Sequence, residues 1–110
     1  MNHPISFVGA GPGAPDLLTL RAADRIRQAD VLIWTDSLVC PEIAALAKES
    51  CLRVRTSRLT LEEVVPQLIE HHSAGRRVVR LHDGDPSLYS AINEQICALN
   101  DVNIPVEVVP

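Results

Sequence analysis

The chain has 110 residues and a mass of 12.0 kDa, which is enough for one domain with a buried core. Ten Lys and Arg against 14 Asp and Glu give a net charge of −4, which argues against a general nucleic-acid-binding protein. No apolar run approaches the roughly 20 residues that cross a bilayer. The cysteines are odd in number and form no C-x-x-C pair, which predicts reduced thiols and a cytoplasmic location.

Short apolar strands alternate with helical segments along almost the whole chain. In chain order, the predicted elements are a strand at 5–8, a helix at 16–28, a strand at 31–34, a helix at 41–49, a strand at 52–55, a helix at 60–74, a strand at 78–81, a helix at 86–99 and a strand at 106–109. This alternation predicts an α/β fold: a mostly parallel sheet with helices on both faces.

Several residues mark where the helices should begin and end. Asp16 is a plausible N-cap for the first helix, and Thr60 with Glu63 forms a capping box for the third. Gly75 should end that third helix, while Pro66 inside it should kink it or shift its start.

The first motif is GAGPGAPD at 9–16, between a predicted strand and a helix. It satisfies the dinucleotide-binding pattern G-x-G-x-x-[G/A], and Asp36 lies about the right distance along the chain to bind a ribose hydroxyl. However, Pro12 and Pro15 offer no backbone N–H to a pyrophosphate, which favours a ligand without phosphate. On this motif alone, a tight turn of Gly and Pro that binds no ligand is the preferred explanation.

The second motif is HDGDPSLY at 82–89, again between a strand and a helix. A simple turn accounts for Gly84 and Pro86. It accounts less well for Asp83 and Asp85, because two carboxylates beside a buried strand are costly without a cationic partner. Ligands of such folds bind at the carboxyl ends of the strands, so a ligand with a positive centre and hydroxyl groups would suit these acids.

Asp36 follows the second strand, where it could orient a hydroxyl, act as a base or cap the following turn. The sequence offers no cluster of metal ligands: the pair at 71–72 is predicted on the polar side of a helix, and His82 at the end of a strand.

Taken together and in order, these segments resemble the tetrapyrrole methylases, which methylate corrin and sirohaem precursors with S-adenosyl-L-methionine (AdoMet). The resemblance lies in VGAGPGAPDLLTLRAADRIRQADVLIWTDSLV and in VVRLHDGDPSLYSAINEQ. It implies a two-domain enzyme, usually a homodimer, that binds AdoMet between two α/β domains. Residues 1–110 would then be the N-terminal domain, and the C-terminal domain would be absent.

The resemblance also implies roles for individual residues. The residues that match the AdoMet-binding segments of the family are Pro12, Asp83, Gly84, Asp85 and Leu88. Asp36 aligns with an aspartate that accepts a proton in related enzymes.

The implied substrate is a precorrin, a large polycarboxylate tetrapyrrole, and the implied chemistry needs no metal. The candidates to bind its carboxylates are Arg53, Arg55, Arg58 and Arg80, although alternate arginines on a short strand are explained equally well by exposure to water. Within the family, the alternative is a methylase that acts at another position of a corrin or sirohaem precursor. Outside the family, the alternatives are a domain that binds NAD or FAD in an oxidoreductase, and a non-catalytic interaction domain.

Overall fold

A computed structural model describes residues 3–11, 14–83 and 91–110. The elements are β1 (Ile5–Gly9), α1 (Leu20–Gln28), β2 (Val31–Trp34), α2 (Pro41–Ala44), β3 (Leu52–Arg55), α3 (Leu61–Ser73), β4 (Val78–His82), α4 (Ala91–Asp101) and β5 (Val106–Val109). The strands form one five-stranded sheet in the order β3-β2-β4-β1-β5, and every pairing is parallel. The predicted α/β fold is therefore confirmed.

The sheet carries a hydrophobic core on each face, because successive residues of its buried strands point to opposite sides. Leu32 and Leu81 pack with Ile26 of α1 and Ile43 of α2 on one face. On the other face, a second cluster joins strand residues to α3 and α4; its fully buried members are Ile5, Phe7, Ile33, Leu68 and Leu99. This division follows from handedness: the chain moves one way along the sheet through β1, β2 and β3 and then returns, and right-handed crossovers place the two sets of helices on opposite faces.

Two predicted helices differ from those observed. The first begins at Leu20 instead of position 16, and its N-cap is Thr19, whose hydroxyl accepts a hydrogen bond of 3.1 Å from the N–H of Ala22. Asp16 lies instead in a 3-10 turn at Pro15–Leu17, so its predicted capping role was wrong. The second helix begins at Pro41 as predicted but ends at Ala44. For the predicted helix at 86–99, residues 86–90 lie outside the described residues.

Helix α3 follows the sequence signals closely. Thr60 donates its N–H to Glu63 Oε1 at 2.9 Å, and Gly75 follows the helix with a φ of 82°, in the left-handed region that glycine favours. Pro66 lies within the helix without shifting its start.

The histidine pair at 71–72 is buried, so its predicted position on a polar helix side was wrong. His71 Nδ1 lies 2.8 Å from Arg76 Nη1, and His72 Nε2 lies 2.9 Å from the carbonyl of His3. In the part of the chain that the structure describes, no three His, Cys, Asp or Glu residues are grouped to hold a metal ion, and no helix could span a membrane.

Candidate active site

The loops after β1 and β4 leave the sheet side by side at its carboxyl edge. Gly9 pairs with His82 in the parallel register, and the N–H of Ala10 donates to the carbonyl of His82 at 2.8 Å. The chain then runs to α1 on one face and to α4 on the other, so a crevice opens between the two strands. Such a switch point is where α/β sheets bind their ligands. The two motif loops therefore start from one crevice, as a shared ligand requires.

The described part of the loop after β1 does not have the geometry of a phosphate site. Gly11 has a φ of 67°, which a residue with a side chain rarely adopts. Helix α1 starts only at Leu20, after the 3-10 turn, and Thr19 caps its first turn. A dinucleotide-binding loop instead leads directly into a helix whose free N–H groups face the pyrophosphate. Pro12, the predicted AdoMet contact in this loop, lies outside the described residues.

Asp83 is the described acidic residue of the second motif, and its side chain is exposed immediately after β4. The preceding His82 is buried, and its Nδ1 lies 2.9 Å from the carbonyl of Asp83. The other residues predicted to bind AdoMet from this motif, Gly84, Asp85 and Leu88, lie outside the described residues.

Arg80 lies inside the protein at 6% exposure, beneath the carboxyl edge. Its guanidinium donates to Gln95 Oε1 of α4 at 3.2 Å, to the hydroxyl of Thr35 after β2 at 2.9 Å, and to the carbonyl of Leu81 at 2.9 Å. Burial lowers the pKa of Arg80 to about 10, while the negative charge of Asp83 opposes this shift. Arg80 thus connects two strand ends and a helix, and it is not an exposed cation for a ligand carboxylate as the sequence suggested.

Asp36 lies just beyond the end of β2 and binds the turn that follows β3. Its Oδ2 accepts a hydrogen bond of 2.6 Å from the hydroxyl of Ser57, and its Oδ1 accepts one of 3.0 Å from the N–H of the same residue. These bonds to Ser57 lower the pKa of the Asp36 carboxyl, with a further contribution from the charge of Arg55. Asp36 is therefore an ionised, oriented carboxylate. No feature of the sequence points to Ser57, because the two residues are brought together only by the pairing of β2 with β3.

A cavity of about 340 Å³ lies beside Asp36, between the ends of β2 and β3 and helix α2. Trp34, Arg53 and Arg55 line it from the strands. Arg53 donates to carbonyls at the end of α2 and in the loop beyond it: those of Ala44 at 3.2 Å, Ala47 at 2.8 Å, Lys48 at 3.4 Å and Cys51 at 3.2 Å. The side chain of Arg55 is exposed and makes no hydrogen bond or ion pair with any described residue.

The sheet order argues against the dinucleotide-binding alternative. In that fold β2 lies next to β1, so that its acidic residue reaches the ribose of a nucleotide bound at the β1 loop. Here β4 separates β1 from β2, which moves Asp36 one further strand, about 5 Å, from the glycine loop. Asp36 is also held by Ser57. The match to G-x-G-x-x-[G/A] therefore does not indicate NAD or FAD.

Comparison with known families decides between the remaining alternatives. Residues 4–110 match the family of Tetrapyrrole (Corrin/Porphyrin) Methylases. The chain belongs to this family. The resemblance carried by the two motif segments is therefore confirmed over nearly the whole chain.

Individual tetrapyrrole methylases show the same relationship. The chain is 44% identical over 106 residues to a precorrin-4 C(11)-methyltransferase of Rhodococcus erythropolis, covering 96% of this chain and 43% of the relative. It superimposes on a cobalt precorrin-4 methyltransferase with a TM-score of 0.91 and 38% identity, covering 97% of this chain and 45% of the other. A uroporphyrin-III C-methyltransferase of Thermus thermophilus, solved with S-adenosylhomocysteine, superimposes with a TM-score of 0.83 at 35% identity. This match covers 98% of this chain and 44% of the Thermus thermophilus chain. The chain thus spans less than half the length of these methylases.

Proposed function

We propose that the chain is the N-terminal α/β unit of an AdoMet-dependent methyltransferase that methylates precorrin-4, or cobalt-precorrin-4, at ring carbon 11 in cobalamin biosynthesis. The observation that carries this proposal is the crevice at the carboxyl ends of β1 and β4, where both family motifs begin. Support for the substrate comes from the likeness to precorrin-4 and cobalt-precorrin-4 methyltransferases at 44% and 39% identity. The L-H-x-G-D-P-S-L-Y pattern of the second motif also favours the precorrin-4 methyltransferases.

The described residues of the crevice fit AdoMet. The donor brings an activated methyl group on a sulfonium centre, and it carries ribose hydroxyls but no phosphate. The exposed Asp83 carboxylate suits a cationic or hydroxyl-bearing ligand, and the positive φ of Gly11 allows close backbone approach. From the family pattern, the residues proposed to hold AdoMet are Pro12, Asp83, Gly84, Asp85 and Leu88.

The protein's part in such a methyl transfer is mainly to align donor and acceptor and to exclude water. Correct alignment can contribute about 7–11 kcal/mol to lowering a barrier of this kind. Asp36 is proposed to accept the proton that the macrocycle loses. Its carboxylate is ionised and held in one orientation by Ser57, at the carboxyl edge that also bears the crevice.

The carboxyl edge also carries apolar side chains that another protein surface would cover. Leu17 and Leu20 follow β1 and Leu38 follows β2, and these side chains are 58%, 91% and 65% exposed. This exposure supports a second domain packed over the crevice and argues against an interaction module with a polar face here. A homodimer and a cytoplasmic location are part of the same proposal.

The test uses a chimaera in which this chain replaces the matching 106 residues of the Rhodococcus erythropolis enzyme. We expect S-adenosylhomocysteine to bind in titration calorimetry and labelled methyl groups to pass from AdoMet to precorrin-4. Gly11→Val in the same chimaera should weaken S-adenosylhomocysteine binding, because valine strongly disfavours a φ of 67°. Gly75→Val is its control, since Gly75 has a φ of 82° but lies at the end of α3, away from the crevice.

A folded chimaera that binds no S-adenosylhomocysteine would refute the methyltransferase proposal. Methyl transfer to uroporphyrinogen III but not to precorrin-4 would keep the methyltransferase and overturn the substrate. That second outcome has a specific basis, because the chain also resembles a uroporphyrin-III C-methyltransferase of Thermus thermophilus at 35% identity.

A further inference from the structure

We infer that the cavity between α2 and the ends of β2 and β3 is a subsite for a carboxylate-bearing side chain of the tetrapyrrole, with Arg55 as its charged partner. The inference rests on the proposed function for the identity of the ligand. It goes further by assigning one peripheral carboxylate of the substrate to one arginine of this chain.

The first reason is that the other charged groups of the cavity already have partners. Arg53 donates to four carbonyls at and beyond the end of α2, so its guanidinium stabilises the protein's own backbone. The carboxylate of Asp36 accepts hydrogen bonds from the N–H and the hydroxyl of Ser57. Among the described residues that line the cavity, Arg55 is the charged group whose N–H donors make no hydrogen bond.

The second reason is the placement of Arg55. It pairs with Trp34 in the parallel register, so both side chains lie on the face of the sheet that α2 covers. Arg55 is nevertheless exposed and therefore reaches solvent at the open side of the cavity. A guanidinium in this position can bind a carboxylate with two parallel N–H donors.

The third reason is the character of the walls. Trp34 is 5% exposed and forms an apolar wall with Pro41 and Ala44 of α2. No described residue accepts a hydrogen bond from its indole N–H. The cavity thus has apolar walls and one arginine whose guanidinium makes no hydrogen bond with a described residue. These features match a short methylene chain that ends in a carboxylate, which is the form of the acetate and propionate groups of this substrate class.

The fourth reason is distance from the crevice. The cavity lies at the same carboxyl edge as the β1 and β4 loops, and two strand spacings, about 10 Å, separate the midpoints of the two strand pairs. A macrocycle with carboxylate side chains on its rim can span this distance. One ring could then lie at the crevice while a side chain of another reaches Arg55.

The test uses the single tryptophan of the chain as a reporter. The indole N–H of Trp34 gives one cross-peak in a nitrogen-15 correlation spectrum, and we titrate the chain with porphobilinogen, a pyrrole that carries one acetate and one propionate. We expect a saturable shift of this peak, and we expect the dimethyl ester of porphobilinogen to cause none. Arg55→Gln should weaken binding by about tenfold, the effect of one lost charge-assisted contact. Arg27→Gln is the control at an exposed arginine of α1 that does not line the cavity, and it should leave binding unchanged.

An unmoved Trp34 peak, or equal affinity in the Arg55→Gln and Arg27→Gln variants, would overturn the subsite. In the chimaera, Arg55→Gln should raise the KM for precorrin-4 by about tenfold and leave the KM for AdoMet and kcat unchanged. An unchanged KM for precorrin-4 would likewise overturn it. Failure of the proposed function is distinguishable, because it appears as loss of S-adenosylhomocysteine binding in the chimaera without any substitution.

Discussion

Ser57 holds Asp36 through two hydrogen bonds that reach both carboxylate oxygens, one from its hydroxyl at 2.6 Å and one from its N–H at 3.0 Å. The two residues follow neighbouring parallel strands, β2 and β3, at the same edge of the sheet. The bonds fix the direction in which the carboxylate points and stabilise its charged form. Asp36 is thus both a cap for the turn at Thr56–Arg58 and an oriented base candidate.

The first prediction concerns this pair. Ser57→Ala removes the hydroxyl bond, which is the largest cause of the lowered pKa of Asp36, so that pKa should rise toward its ordinary value. The carboxyl carbon-13 resonance of Asp36, followed through an acid titration, measures it. Ser37→Ala is the control, because Ser37 is an exposed neighbour of Asp36 that makes no hydrogen bond with the described residues. An unmoved Asp36 midpoint in Ser57→Ala would contradict the prediction.

The second prediction concerns Arg80, the buried cation under the carboxyl edge. Arg80→Met keeps most of the side-chain volume but leaves Gln95 Oε1 and the Leu81 carbonyl without this donor. We expect a loss of about 1–3 kcal/mol in the free energy of unfolding, measured by urea denaturation. Arg80→Ala should lose more, because it also opens a cavity.

A variant Arg80→Met as stable as the parent chain would show that the cost of burying the charge equals the gain from its hydrogen bonds. The difference in free energy of unfolding between Arg80→Met and Arg80→Ala measures the contribution of packing, because neither variant carries the charge and only the second opens a cavity. Their far-ultraviolet circular dichroism should match that of the parent chain, which confirms that both are measured in the same fold.

The sequence predicted the sheet because short segments rich in Val, Ile and Leu alternate with helical segments along the chain. It also predicted the ends of α3, where Thr60, Glu63 and Gly75 act through local hydrogen bonds. It misplaced the start of α1, because Asp16 and Thr19 are both good caps and only the intervening 3-10 turn decides between them.

Contacts that depend on strand order could not be predicted in the same way. The bond from Ser57 to Asp36 exists because β3 pairs with β2, and the contact of Arg80 with Thr35 because β4 lies beside β2. Both pairings are remote in sequence. From the sequence, Arg53 and Arg55 were equal candidates to bind a ligand. In the structure, Arg53 donates hydrogen bonds to carbonyls at and beyond the end of α2, whereas the side chain of Arg55 lines the cavity without such a bond.

The third prediction tests the role of Arg53. Its fork of N–H groups reaches carbonyls of Ala44, Ala47 and Cys51, which the single ammonium of a lysine cannot do together. Arg53→Lys should therefore lower the free energy of unfolding by about 1 kcal/mol in urea denaturation. Arg58→Lys, at an exposed arginine without such partners among the described residues, should be neutral. Equal stabilities of the two variants would show that these carbonyl bonds contribute nothing measurable.

The last prediction concerns the opposite end of the molecule, where Glu107 of β5 joins α1 to the sheet. Its Oε2 accepts from Arg25 Nε at 2.9 Å and from the hydroxyl of Ser6 at 2.8 Å, and its Oε1 accepts from Arg25 Nη2 at 2.9 Å. The bond to Arg25 is the largest cause of the lowered pKa of Glu107. Since the folded pKa lies below the unfolded one, the stabilisation is complete above the unfolded value and is lost as the pH falls through the folded value.

Glu107→Gln should therefore lower the free energy of unfolding at pH 7, by about 1 kcal/mol for a partly exposed pair. The difference from the parent chain should shrink as the pH falls below the ordinary range of a glutamate, because the parent carboxylate is then protonated as well. Urea denaturation at several pH values measures this difference, with Glu49→Gln as the control at an exposed glutamate without described partners. A constant difference between pH 7 and pH 3 would mean that the carboxyl stabilises the fold by its shape alone and that its charge contributes nothing.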